Sequence, residues 1–357
     1  MVIFYSILLS GNELILAQEQ DIPQEARTRG IIFIPGAFYT PETDWGLAAG
    51  LLYYFQGFGG FDRDKPSSIS ANIIYTLKNQ KKFTVIPKIR INNSEYLLSS
   101  RISFTDYPEK YYGIGNNNSA DDYTGYTSKG IEAWLNASRR IYKNLYAGLN
   151  INYINNNIID IDDTDTRTYD FLSSFNRKEI LSLGIKFTWD SRDNTFYTSK
   201  GTYLDILMEV YIKEFLSDYG FQSYLIDLRN FQSFGKDILA FQAYFHFNTS
   251  GCPFFAMPTL GGPGLLRGVV QNLYRDLNLM AFQAEYRMPL GNKISLVFFA
   301  GAGDTAGRAD AFRLANLKYS AGAGIRYRLS DNGINFRLDI GYSREDFNFY
   351  LGVLEAF

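Results

Sequence analysis

Apolar and polar side chains alternate one for one along much of this chain. In residues 201–212, Leu204, Ile206, Met208, Val210 and Ile212 share one face, while Tyr203, Asp205 and Glu209 share the other. In 179–190, Leu181, Leu183, Ile185, Phe187 and Trp189 oppose Ser182, Gly184, Lys186 and Thr188. In 333–342, Ile334, Phe336, Leu338 and Ile340 oppose Asn335, Arg337, Asp339 and Gly341. A period of two belongs to a strand, whose successive side chains leave opposite faces. A soluble sandwich seldom sustains runs of ten residues or more. A strand that crosses a bilayer needs about 9–11 residues, one face turned to lipid and the other to a polar lumen.

Runs of this kind, bounded by turn signals, predict strands at 31–39, 44–56, 68–77, 82–92, 96–107, 126–141, 144–156 and 179–190. The second half adds 201–212, 221–234, 237–250, 277–288, 293–303, 317–330, 333–343 and 347–357. The total is about sixteen, even as single-chain bacterial barrels require. Connections alternate between long polar segments, as at 107–125 and the Asp-rich 160–177, and short turns such as Asn92-Asn93-Ser94 and Gly235-Lys236. Long loops outside and short turns inside place both ends of the barrel in the periplasm. Residues 57–68 make a longer inner connection than that rule expects. The expectation is an all-β, sixteen-stranded antiparallel transmembrane β-barrel over 31–357, preceded by a signal peptide at 1–17 and a short periplasmic segment at 18–30. The apolar run from Val2 to Leu9 and the small Ala17 before Gln18 suit export, although a basic leading segment is missing and Asn12 and Glu13 interrupt the core.

Composition agrees with this pattern and removes several alternatives. Mean hydropathy of −0.17 would read as soluble for a helical protein, but alternating strands average out to that value. Aromatic residues make up 17% of the chain, with Tyr 27 and Phe 29, and 31 glycines supply turns. A net charge of −2 recruits no nucleic acid. With one cysteine, Cys252, and one histidine, His246, neither a disulfide framework nor His-based zinc chemistry is expected, and no cofactor or metal is implied. His246 falls on the face of Gln242, Tyr244 and Asn248, the lumen, which argues against a serine–histidine lipase facing lipid. The run Asp160 to Asp165 offers hard oxygens for calcium, yet it lacks the glycine and terminal glutamate of a calcium loop and reads as solvated. No catalytic residues are expected.

One segment stands apart. Gly261-Gly262-Pro263-Gly264-Leu265-Leu266-Arg267-Gly268 is dense in glycine and carries a single arginine, and the strand after it runs through Gln283, Glu285 and Arg287 on one face. Glycines at 261, 262, 264 and 268 would let the loop turn sharply into the lumen. Arg267 carries a rigid fork of donors suited to a carboxylate. Alternation makes Glu285 and Asp339 its lumen-facing candidates, and either could anchor the loop. If the loop stayed outside, Arg267 would be solvated and any pair worth only about 0–1 kcal/mol.

The loop 261–268 and the strand ending Glu285-Tyr286-Arg287 resemble the sixth-loop Arg-Gly motif and following strand of the BamA/TamA outer-membrane assembly-factor superfamily, the bacterial surface antigen family. Asp190-Ser191-Arg192-Asp193-Asn194 before Gly201 resembles the family's turn before a mid-barrel strand. Phe336 to Gly341, and Phe349-Tyr350-Leu351 to Phe357, resemble its last two strands, with Tyr350 and Phe357 in the place of the C-terminal sorting signal. The family has an aromatic residue after Arg-Gly, where Val269 stands here. It also has an aspartate in strand thirteen, where this chain reads Phe299-Ala300-Gly301-Ala302-Gly303. The periplasmic repeat domains of the family have no counterpart here, so the resemblance is to a short, barrel-only member.

The resemblance implies an outer-membrane protein of a diderm bacterium that assists insertion or translocation of proteins through a seam between its first and last strands, 31–39 and 347–357. Pro35, Gly36 and Gly352 would weaken pairing there. Its partners would be outer-membrane lipid, client barrels or surface proteins, and a separate periplasmic protein in place of the missing repeats. A passive pore and a barrel that scaffolds a partner are the competing classes.

Overall fold

The computed structural model describes residues 29–40, 44–59, 65–162, 165–345 and 347–357. The segments expected as a signal peptide and most of the periplasmic stretch, 1–28, lie outside the described residues. The strands are β1 Gly30–Thr40, β2 Asp44–Phe55, β3 Ser67–Thr76, β4 Lys81–Ile91, β5 Tyr96–Tyr111 and β6 Thr124–Tyr142. They continue as β7 Leu145–Ile159, β8 Lys178–Asp190, β9 Gly201–Tyr211, β10 Phe221–Phe234, β11 Asp237–Asn248, β12 Thr259–Leu260 and β13 Tyr274–Arg275. The last are β14 Asn278–Pro289, β15 Ile294–Ala306, β16 Lys318–Arg328, β17 Asn335–Ser343 and β18 Phe347–Val353; a helix, α1 Thr166–Ser173, lies between β7 and β8.

Every strand but β12 and β13 joins one sixteen-stranded sheet in which neighbours in sequence are neighbours in space. All of its ladders are antiparallel. The sheet is curled, since an apolar cluster gathers Leu52 and Tyr54 of β2, Phe196, Ile334 and, packed against them, Ile32 of β1 with Val353 of β18. No helix among the described residues is long and apolar enough to cross a membrane; the crossing elements are strands.

Alternation is physical on each strand. On β14, Phe282 and Tyr286 point out, while Gln283, Glu285 and Arg287 are buried inside. Aromatic and aliphatic side chains left exposed on the outer face, Phe241, Phe282 and Phe298 among them, form a surface that water would penalise and lipid does not. Inside, the polar groups pair: Asn150 and Ser182 donate to Glu209 at 3.0 and 2.7 Å, and Gln242 donates to Asp227 at 2.7 Å. Polar groups screened from water need such partners.

The wall is uneven. β5, β6 and β7 have 16, 19 and 15 residues, whereas β17 and β18 have 9 and 7. Among the described residues no ladder joins β18 to β1, so the two ends of the sheet meet through the side chains of that apolar cluster.

Two connections at the short-turn end fold back rather than hanging free. In the long connection after β2, Phe58 bridges Ile91, its amide donating to the Arg90 carbonyl at 3.2 Å. Residues 191–200 form a structured turn. Asp193 accepts from the amides of Asn194, Ser199 and Lys200, and Asn194 accepts from those of Phe196 and Tyr197. The turn crosses the floor of the barrel to reach the β16–β17 connection, where Asn194 donates to the Asn332 carbonyl at 3.2 Å.

Two strand expectations change. Ile334, expected on the lipid face, precedes β17 and is fully buried in the cluster with Phe196, because the turn has not yet taken up the pleat. The last strand ends at Val353, not Phe357. Leu354 adopts φ +70 and donates its amide to Asn335 at 2.8 Å, which turns residues 354–357 into the lumen.

Candidate functional site

The connection between β11 and β14 enters the barrel and packs as a small core of its own. Leu260, Leu266, Val269 and Leu273 are fully buried with Tyr274, Leu279 and Ala281. Val269, in the place where the family has an aromatic residue, is part of this core. β12 and β13 pair to close the base of the loop, and Gly115 of the β5–β6 connection exchanges main-chain hydrogen bonds with Arg275.

Arg267 sits at the tip with 1% of its surface exposed. Its Nη1 donates to Asp339 on β17 and its Nη2 to Glu285 on β14, each at 2.5 Å. Glu285 and Asp339, left as alternatives by alternation, are therefore both engaged, one per nitrogen. The guanidinium carbon lies 3.6 Å from the centroid of the Phe299 ring on β15. The face of that ring attracts the guanidinium as a cation–π contact.

The pairs extend into a cluster. Arg287 donates to Glu285 at 2.7 Å, and Arg326 on β16 donates to Asp339 at 2.5 Å and to Glu355 at 2.7 Å. Arg337 lies 3.7 Å from Asp339 and donates to the Pro263 carbonyl. Four guanidinium groups thus face three carboxylates, all at least nine-tenths buried or nearly so. Removing water from such charges is costly, and only their mutual pairing offsets it.

Backbone contacts hold the loop against β17 and β18. The Gly268 amide donates to Tyr350 Oη at 3.0 Å, and its carbonyl accepts from Ser343 and Asn348, each at 2.9 Å. Gly268 has φ +112, and a Cβ there would lie 2.8 Å from Tyr342 main-chain atoms; a Cβ on Gly341 would lie 2.6 Å from the Arg267 carbonyl carbon. Only two glycines allow main chain to touch main chain here. Gly261 and Gly262 also have positive φ, but Gly264 does not and has room for a side chain. Its contribution is a carbonyl that accepts from Gln283 at 2.9 Å.

Tyr350 and Phe357, paired in the sequence reading as a terminal signal, both point inward. Tyr350 clamps Gly268 as above. Phe357 is 7% exposed against Phe231 and Ala240, and its main-chain oxygen accepts from Arg287 at 3.3 Å. Glu355, Arg326 and Phe299 were not anticipated. Arg326 and Phe299 carried a signal, being inward by the same parity as their strands. Glu355 carried the opposite signal, since an unbroken strand to Phe357 would turn it to lipid.

Elsewhere in the lumen Ser223 Oγ and His246 Nε2 lie 3.0 Å apart, on the wall rather than the lipid face. Asp165 caps α1 by accepting from the Thr168 hydroxyl and from the amides of Thr168 and Arg167, and those bonds, the hydroxyl's first, hold its carboxyl below the usual range. Among the described residues no three carboxylate, imidazole or thiol side chains gather as a metal site.

A family model described as the Omp85 superfamily domain matches residues 66–355. The chain belongs to the Omp85 superfamily. No curated protein matches it. Three solved structures share its fold. BamA from Haemophilus ducreyi lacking POTRA domains 1–3 is 14% identical with a TM-score of 0.56, over 92% of this chain and 70% of that one. CdiB from Escherichia coli is 13% identical with a TM-score of 0.57, over 91% and 62%. CdiB from Acinetobacter baumannii is 11% identical with a TM-score of 0.55, over 91% and 59%. The chain thus spans between about three fifths and seven tenths of these relatives. As an Omp85-superfamily protein it is a transmembrane β-barrel of the outer membrane of a diderm bacterium.

Proposed function

We propose that this Omp85 barrel assists insertion or translocation of proteins at the outer membrane through a seam between β1 and β18, with the Arg267 loop bracing the wall beside that seam. The observation that carries this reading is the pair of sheet ends between which no ladder forms among the described residues, the last strand being 7 residues long. A sheet edge presents backbone donors and acceptors that another strand can pair with, the usual hazard of an edge and here its use. The Arg267–Gly268 tip packs on β17 and β18, while residues 272–275 of the same connection reach Glu109 on β5 and Gly115 after it, so the tip stiffens the strands next to the opening. Gly261, Gly262, Gly264, Arg267 and Gly268 act as the brace, Glu285 and Asp339 as its anchors, and Tyr350 as the clamp on the seam strand. Phe357 and Tyr350 would also serve as the terminal signal read when this barrel is itself assembled. Clients are other barrels or surface proteins, and a separate periplasmic protein delivers them.

Depletion of the protein followed by outer-membrane proteome profiling tests the reading. Selective loss of other barrels or surface proteins is the expected result. An unchanged proteome with altered permeability to small solutes would instead mean a passive pore. Co-purification identifies the periplasmic partner, and a barrel that is recovered alone removes that part of the proposal.

A further inference from the structure

Opposite the Arg267 cluster, the lumen keeps a cavity of about 740 Å³. This lies within the range of about 300–1,000 Å³ that small-molecule sites occupy. Its walls are polar, with amides set among charged side chains of both signs. Asn248 is 6% exposed, and neither its side-chain oxygen nor its nitrogen has a protein partner. Asn156, 8% exposed, uses its oxygen on Ser128 and leaves its nitrogen unpartnered. Asn152 donates to Tyr211 and leaves its oxygen unpartnered. All three line the cavity. Buried amides without partners are costly unless a guest completes them.

The charges of the wall balance, with Lys82, Arg101 and Arg275 against Glu109, Glu132 and Glu209. Glu209 accepts from Asn150 and Ser182, Glu109 accepts from Tyr126 and Asn272, and Arg275 donates to the Phe254 carbonyl. With three charges of each sign, the wall offers an ion no net counter-charge. The rings of Tyr126, Tyr211, Phe221, Phe254 and Phe255 complete the lining. Free amide donors and acceptors beside aromatic rings suit a ligand whose groups both donate and accept and whose C–H faces are apolar.

There is also a way in. A second cavity of about 620 Å³ shares Lys82, Glu109 and Tyr126 with the first and is otherwise lined by the adjoining ends of β5 and β6 and by loop residues such as Tyr112, Tyr123, Asp162 and Gln271. These belong to the long-loop end, which in such barrels faces outside the cell. At the other end, the turn 191–200 and residues 354–357 occupy the floor.

We propose that this chamber is a binding site, open to the cell exterior, for a short neutral saccharide, with Asn248, Asn156 and Asn152 making the directional hydrogen bonds and the aromatic rings packing against sugar faces. The proposal does not depend on the assembly role. The barrel is placed in lipid nanodiscs free of sugar-headed detergent, which would compete for the site. Saturation-transfer NMR is then recorded with maltotriose, cellotriose and chitotriose, and separately with inorganic phosphate and a neutral tripeptide. At least one trisaccharide should bind, and binding should weaken at least tenfold in Asn156→Leu/Asn248→Leu, a change that removes the unpartnered amide groups of both residues. Asn248→Ala alone provides the same readout if the double variant fails to fold. The proposal is overturned if no trisaccharide binds, if binding is equal in the variants, or if only phosphate or the tripeptide binds.

Discussion

Arg267 holds together strands that share no ladder. β14 and β17 are separated in the sheet by β15 and β16, and the guanidinium spans the gap by taking one carboxylate from each. In Arg267→Ala, Glu285 and Asp339 keep Arg287 and Arg326 as partners but lose the one guanidinium they share through its two terminal nitrogens. Breaking a buried pair from one side costs about 3–5 kcal/mol, so a loss near 3 kcal/mol is expected in the unfolding of the folded barrel followed by heat on semi-native gels. Arg267→Lys should recover only a minor part, because one ammonium cannot serve two carboxylates in a fork. A variant within 1 kcal/mol of the parent would contradict the bracing role. Cys252 gives a second expectation at this scale. It is 6% exposed in the outer connection, and burial pushes its thiol up to about 12. Thiolate is the reactive form, so a maleimide at pH 8 should leave the folded protein unlabelled and react only after denaturation. Cysteines placed elsewhere can then report crosslinks without replacing it.

Among the elements, the sixteen wall strands were legible in the sequence because each is constrained on both sides. Lipid demands apolar groups on one face and the packed polar lumen demands partners on the other, so the period of two survives for the whole strand. The same parity brought Arg267, Glu285 and Asp339 together as candidates. It failed where the pleat stops. Leu354 reverses the parity, so Glu355 and Phe357 turn inward against their expected direction. The two-residue strands β12 and β13 are too short to alternate, and α1 lies in a run that reads only as acidic. This tail carries a prediction of its own. β18 pairs with β17 over 7 residues, and beyond it Glu355 is bonded by Arg326 and Asn335. Glu355→Gln keeps the shape and removes the charge. A hydrogen bond to a charged group is worth about 1.5–3 kcal/mol. Amide exchange in Phe347–Val353 should therefore quicken by roughly tenfold or more, while β5 to β7 stay as protected as before. Uniform acceleration would mean general destabilisation instead of a tail that fastens the last strand.

Seen as a whole, the molecule is a barrel whose lumen is divided. The β11–β14 connection and its arginine cluster fill the side under β14 to β18, the turn 191–200 and the tail occupy the floor, and the remaining space is the chamber under β3 to β11. A passive pore and a braced barrel therefore differ in what the loop does to ion flow. If the loop is the obstruction, the parent protein in planar bilayers should conduct weakly, Arg267→Ala should flicker to larger openings, and replacing residues 261–268 by a short flexible link should raise conductance severalfold. Floor residues would still limit the rise, so a further increase is expected when residues 354–357 are also removed. Large, steady conductance in the parent that is indifferent to the loop would identify a pore and leave the cluster with a purely structural role. The seam gives the complementary measurement. Cysteines on the facing edges of β1 and β18 should crosslink, since the apolar cluster holds Ile32 and Val353 in the same pack. Locking them should abolish client assembly while leaving the conductance of the loop variants unchanged, because the opening proposed for clients lies in the wall and not along the lumen.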